Sequence, residues 1–377
     1  MAVGTSAAAQ EGPSLARLAN GQMAVAWPTS ETGTQQIKVQ RYDDSGAPVG
    51  AAVRVDAASE VPTFPGGPQS TSIAATPDGY VVSWCAFRDR LAGAAGRPAP
   101  GWDAYLRRFD ASGAPLGGVV QVNVEPAHRC SVPSVVAIGD GKLGVTYYSW
   151  QFLFMPGFLP GKCLVRTFTA AGIGSDVTSL GDADSNCVAG ALPDGGFSVV
   201  FDRPHYVGAE GVFLQRFDVG GAKVGDEAFI DGTPRTTALP GFANANQPDV
   251  ATLPDGNLVI AWITDGTMVA QKFTGSGVPL GPRFPVPASG VRPRVAAMPG
   301  GGFALAWSRG TAKTYEVWSQ AFDAAGVARE QAGRVMSASN GDRPAGFDVA
   351  ASSNGRFITG WQEPGAGGSY NVFIGRR

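Results

Sequence analysis

The sequence predicts an all-β fold, a seven-bladed β-propeller of four-stranded antiparallel blades. One unit of short strands recurs seven times from end to end. Each copy carries a two-residue turn that supplies the positive φ of a tight hairpin. Gly 53 and Pro 28 are high while charged residues are only 16%, against about 25% in ordinary globular domains. Repeats of this kind build propellers, which serve binding and catalysis alike.

With the strands of a blade lettered A to D from the axis outward, the unit reads in order. Strand A is short and apolar and runs into Asn20-Gly21, Asp78-Gly79, Asp140-Gly141, Asp194-Gly195, Asp255-Gly256, Gly300-Gly301 or Asn354-Gly355. Strand B closes on Trp27, Trp84, Tyr147, Phe201, Trp262, Trp307 or Trp361, and strand C on Tyr42, Phe109, Phe168, Phe217, Phe273, Phe322 or Phe373. A Gly turn such as Asp44-Ser45-Gly46 or Ala111-Ser112-Gly113 leads into D. Trp27 to Trp361 spans six intervals of roughly 56 residues, more than the about 40–50 of familiar propeller repeats, so the excess sits in loops. The sequence leaves the last blade without its own D strand, and 2–10 are expected to supply it, since an open edge invites aggregation. Blades are expected at approximately 11–60, 68–127, 130–182, 187–232, 247–288, 291–337 and 344–377 plus 2–10, in one domain.

Antiparallel connection puts the B–C loops and D–A links on one face and the short A–B and C–D turns on the other. The B–C loops of blades two and three and the 231–247 link are the long ones. Variable loops on a repeated frame are where function usually resides. A net charge of −2 gives no basic stripe for nucleic acid. No apolar run reaches the roughly 18 residues of a membrane helix, and no signal peptide is evident as written. A monomer is expected.

Four cysteines, Cys85, Cys130, Cys163 and Cys187, all fall on the inserted face. Each B–C end lies near the A start of the next blade, which predicts Cys85–Cys130 and Cys163–Cys187. Four cysteines allow other pairings, and metal binding competes but lacks CxxC spacing. Disulfides imply an oxidising compartment, hence a secreted, periplasmic or cell-surface protein.

The two histidines, His128 beside Arg129 and His205 between Arg203 and Tyr206, open onto that face in adjacent blades. Imidazole and phenol suit proton transfer near neutrality, and Arg88, Arg129 and Arg203 suit bidentate capture of a carboxylate. Together they are the set for β-elimination from a uronate, set against a plain loop-capping role. The loop Ser149-Trp150-Gln151-Phe152-Leu153-Phe154 to Pro160 is strongly apolar. With Tyr148 and Trp102 it would stack sugar rings, dock a protein, or fold back as a small core. Asp202 follows its strand B aromatic where the other blades carry neutral residues, and with Asp231, Asp249 and Asp265 it is an acidic candidate at the channel. No cofactor is called for. Asp182 and Asp184 form an oxygen-rich turn that would suit structural Ca²⁺ but lacks the EF-hand pattern.

The unit Arg107-Arg108-Phe109-Asp110-Ala111-Ser112-Gly113-Ala114-Pro115-Leu116-Gly117, echoed in Gln215-Arg216-Phe217-Asp218 and the Pro-Asp-Gly turns, resembles the propeller repeats of large secreted and surface proteins of bacteria. That resemblance implies adhesion to, or processing of, polysaccharide. A looser similarity is to the seven-bladed ulvan lyases, which implies His128, Tyr206 and Arg203 as a His/Tyr/Arg set. The expected function is extracellular binding of a glycan or another ligand at the inserted face of blades two to four. The alternatives are a lyase on uronate-containing glycans and a protein-interaction platform.

Overall fold

The computed structural model describes all residues except 7–11, 30–35, 57–69, 89–100, 125–128, 151–160, 184–185, 204–209, 234–244, 285, 287–289, 311–313, 340–345, 353–354, 365–369 and 377. It is a ring of seven small antiparallel sheets. The A strands are Ser14–Arg17, Ser70–Thr76, Arg129–Ala137, Cys187–Ala191, Ala245–Thr252, Val291–Ala297 and Phe347–Ala351. The B strands are Met23–Thr29, Gly79–Arg88, Leu143–Trp150, Phe197–Arg203, Leu258–Thr264, Phe303–Gly310 and Phe357–Pro364. The C strands are Gln36–Tyr42, Gly101–Asp110, Gly161–Phe168, Glu210–Phe217, Thr267–Phe273, Thr314–Phe322 and Tyr370–Arg376. Ala2–Ser6 pairs with Tyr370–Arg376 and holds the outer place in the seventh sheet. Among the described residues no helix is long and apolar enough to cross a membrane.

Burial follows from the blades standing edge-on to the axis, so that both faces of every sheet meet a neighbour. The core is accordingly split into seven clusters, each filling the gap between two adjacent blades, the last between blades seven and one. Trp27, Trp84, Tyr147, Phe201, Trp262 and Trp307 are among the largest fully buried side chains. Both faces covered explains why all seven residues of strand B in blade one are buried rather than every second one.

The strand C aromatic sits opposite the first residue of strand B in five blades, as in Phe303↔Phe322, and opposite the second in blade two, Tyr80↔Phe109; those two pairs of rings stack at 4.8 and 5.1 Å. The turn that follows is built by Asp43, Asp110, Asp218 and Asp323, whose Oδ1 accepts the amides two and four residues on. Gly46 and Gly113 supply the φ of +85° and +88° that this loop needs.

Two expectations change. Phe373 faces Trp361 directly, four positions from the register of the other strand C aromatics, so it does not belong to their set. Among the described residues the fifth sheet shows three strands, with its outer side carried by the bridges Phe273↔Pro279 and Ala270↔Phe284. Arg283 in that segment pairs with Asp231 of the neighbouring blade rather than extending a ladder.

Candidate functional site: the axial channel

Each A strand is the inner edge of its sheet, and an edge exposes unpaired N–H groups. One repeat position answers this in blade after blade. Ser14 Oγ accepts the Ile73 amide at 3.2 Å, Ser72 the Val135 amide at 3.2 Å and Ser134 the Ala189 amide at 3.1 Å. Asp249 Oδ2 accepts from Val295 at 2.7 Å and Asp348 Oδ2 from Leu15 at 2.8 Å. These side chains sew each blade to the next. Arg294 and Val188 occupy the same position in blades six and four and cannot accept. The Val349 amide, which Arg294 leaves unserved, goes to Asp348 Oδ1 at 2.8 Å. All seven residues line one axial channel of about 1450 Å³.

The belt is uncharged in blades one to four and charged in the last three, in the order Asp249, Arg294, Asp348. Burial pushes the Asp249 carboxyl up, against the pull of Arg294 and of the Val295 and Val250 amides. Burial likewise pushes Asp348 up to about 6; the Leu15 amide and Arg294 oppose the rise, and Asp249 adds to it. A carboxyl at that value holds or releases a proton near neutrality, while Arg294 favours anions beside it.

The sign of the pH dependence follows. Folded Asp348 keeps its proton above the ordinary 3.8, so stability falls as pH rises from about 4 to 6 and the whole loss persists above that. The gap corresponds to about 3 kcal/mol. In Asp348→Asn the neutral amide keeps an acceptor for Leu15. Its stability in urea, minus that of the parent, should therefore grow from pH 4 to 6 and then level off. A difference flat across that range would contradict the assignment.

At the inserted mouth, buried Asp202 accepts from Asn186 N at 3.2 Å, Asn186 Nδ2 at 3.1 Å and Gln247 N at 3.1 Å. It ties the starts of the A strands in blades four and five, which accounts for its departure from the repeat. Asp231 accepts the Trp262 indole at 2.7 Å and pairs with Arg283 at 2.9 Å. Asp265 forms the two-residue B–C hairpin of blade five with Gly266. Of the four acidic candidates, Asp249 alone joins the channel belt.

Arg203 stacks 4.2 Å over Phe213, and its fork is filled by Glu227 at 2.8 and 3.0 Å. Trp102 lies in strand C of blade two, not in an insertion, opposite Phe87 and against the core between blades two and three. Tyr148 packs over Gly161 and on the cluster that contains Cys163 and Cys187. Those two cysteines are bonded, Cα to Cα 5.8 Å. Cys85 is buried, but the side chain of Cys130 lies outside the described residues, as do those of Arg88, Arg129 and Trp150. Their backbones place Arg129 opposite Trp150 and Arg88 opposite Gly101. His128, Phe154, Asp184, His205 and Tyr206 lie wholly outside them.

Arg294, Asp348 and the serines were not singled out by the sequence reading. The signal is there once the repeats are aligned: Ser14-Leu15-Ala16, Ser72-Ile73-Ala74, Asp249-Val250-Ala251, Arg294-Val295-Ala296 and Asp348-Val349-Ala350.

No family model matches the chain, and no curated protein matches its sequence. Solved structures do match, at the level of fold. An ulvan lyase of a new family of polysaccharide lyases, bound to -[GlcA(1-4)Rha3S]-, superposes at TM-score 0.55 with 12% identity over 100% of this chain and 95% of its own. The Penicillium chrysogenum alpha-L-arabinanase, complexed with arabinobiose, gives 0.54 and 13% over 87% and 99%. A protein of unknown function from Dyadobacter fermentans gives 0.51 and 10% over 100% and 99%. The chain is a seven-bladed β-propeller with a charged axial channel.

Proposed function

We propose that the chain is an extracellular carbohydrate-binding propeller whose ligand enters the axial channel from the inserted face. The observation that carries this reading is the belt itself. Serine suffices to sew three of the blades, so two carboxylates and a guanidinium at equivalent positions exceed what the scaffold requires. Asp249 is buried and Arg294 and Asp348 are half-buried, and taking charges that far from water is costly unless a ligand or partner repays it. Hydroxyl, carboxylate and guanidinium groups spaced round one wall suit a polyhydroxylated ligand, which needs many paired donors and acceptors.

The reading is supported by the shared fold with an arabinanase and an ulvan lyase, and the buried disulfide agrees with an extracellular setting. From the sequence, His128, His205, Tyr206, Arg88, Arg129, Trp150 and Phe154 are further candidates for contact with that ligand, and Tyr148 begins the same apolar loop. Calorimetry on a panel of neutral and acidic polysaccharides tests it. Asp348→Asn is expected to weaken the best neutral ligand about tenfold at pH 7, because carboxylate acceptors are the stronger ones. Unchanged affinity in the variant, or no binding across the panel, would reject the channel as the site.

A second reading is favoured by the value of about 6 at Asp348, a proton carrier fit for neutral pH. It is a lyase on uronate glycans, with His128 or His205 and Tyr206 as base and acid and Arg129 on the carboxylate, the fork of Arg203 being held by Glu227. Release of unsaturated product, followed by ultraviolet absorbance and lost in His128→Ala or His205→Ala, is its expected result.

A further inference from the structure

The described arginines sort by position. Away from the axis most are matched: Arg54 by Asp56, Arg108 by Asp78, Arg203 by Glu227, Arg216 by Asp194, Arg283 by Asp231 and Arg334 by Glu316. Arg41, Arg107 and Arg166 donate to backbone carbonyls. Three others, Arg17, Arg292 and Arg294, line the channel, and among the described residues none of them forms an ion pair with a carboxylate.

Their settings are built. Arg292 has a φ of +54°, in the left-handed region that side chains disfavour; the equivalent position in blade seven is Gly346, also at positive φ. Its amide donates to Gln247 Oε1 at 2.9 Å, and Gln247, also at +54°, donates its amide to Asp202. A buried carboxylate thus props, through one glutamine, an exposed guanidinium at the inserted mouth. Arg294 stands two residues further in, on the belt.

Arg17 lies three residues beyond the belt, toward the opposite mouth. Ala75, Ala137, Ala191, Ala297 and Ala351 hold that position in five other blades. Its buried Nε has no hydrogen-bond partner among the described residues. Five strand positions at about 3.3 Å each separate the levels of Arg292 and Arg17, roughly 17 Å along the axis.

We propose that the channel holds an elongated polyanion along its axis, with carboxylate or sulfate groups on Arg292 and Arg294 at the inserted mouth and on Arg17 at the other. The sugar nature of that chain rests on the function proposed above; the anionic stations do not. Guanidinium forks match such oxyanions in geometry. Arg294 shares its level with Asp249 and Asp348, whereas Arg292 and Arg17 stand at other levels of the channel wall, where a cation outside any ion pair favours an oxyanion.

The test is calorimetry on the full chain with oligogalacturonate, a sulfated dextran oligomer, polyphosphate, neutral malto-oligosaccharide and monomeric galacturonate. Arg292→Gly removes the guanidinium while suiting the positive φ, so its fold is safe. Arg17→Ala installs what other blades carry, and Arg334→Ala is an outer control. Oligoanion affinity should drop about tenfold in each channel variant, about 1.4 kcal/mol, and stay within about twofold in the control. Binding of the monomer should respond to Arg292→Gly alone. Oligoanion binding indifferent to either channel variant would overturn the proposal. Neutral oligomer bound with no oligoanion would overturn it and leave the carbohydrate reading standing. Polyphosphate bound through the arginines with no sugar bound would uphold the stations and remove the carbohydrate reading. The carboxylate and sulfate arms tell which oxyanion is preferred.

Discussion

Trp262→Ala is expected to destabilise the protein by about 4 kcal/mol, the largest effect of any single substitution proposed here. The indole is fully buried, against Leu192, Val200, Leu214, Val250 and Phe273 in the gap between blades four and five. Removing it opens a cavity in a rigid ring whose neighbours are fixed by their own ladders, so collapse cannot close the hole. It also deprives Asp231 of the indole donor at 2.7 Å and Arg283 of the ring 5.3 Å beneath it. Trp262→Phe separates the two contributions, since it keeps most of the volume and loses the hydrogen bond. A cost of about 1–2 kcal/mol is expected for it. Urea unfolding followed by circular dichroism measures both. Equal losses in the two variants would place the cost in the hydrogen bond rather than the cavity.

Loss of the Cys163–Cys187 bond is expected to cost about 3 kcal/mol. The bridge closes a loop of sequence separation 24, and cross-linking a loop of that length restricts the unfolded chain by about this amount. It joins the start of strand C in blade three to the start of strand A in blade four. Thr146 Oγ1, donating to the Cys187 carbonyl at 2.6 Å, holds the same seam. Both cysteines are fully buried, so Cys163→Ala with Cys187→Ala adds a small packing loss. A double variant as stable as the parent in urea, with and without reductant, would show that the unfolded chain gains nothing from the link.

The fold was legible because it is repeated. A single Asp-Gly turn or a single buried tryptophan is weak, whereas seven in phase leave one architecture. Departures from phase were harder to see. Phe373 has the right residue type at about the right spacing, yet it faces Trp361 because strand pairing, not residue type, sets register. The two isolated bridges that stand, among the described residues, at the outer side of blade five were equally hidden, since Pro279 to Phe284 has the composition of a strand or of a loop.

The site was legible only in part. Loop length and cysteine placement pointed to the inserted face, and the Cys163–Cys187 bond lies there. Asp249 was picked out as acidic, but Arg294 and Asp348 were not. Arg203 was read as open to a substrate carboxylate, and in the structure Glu227 fills its fork.

By itself the sequence determined what is local and repeated: hairpin turns through Gly and Asp chemistry, strand cores through period and aromatics, and the number of blades through copy count. Only the tertiary structure decided what faces the axis. Residues spread over the whole chain, from Ser14 to Asp348, become neighbours when the ring forms. Whether a carboxylate there is costly, paired or able to hold a proton depends on how much water and which charges the other blades leave beside it.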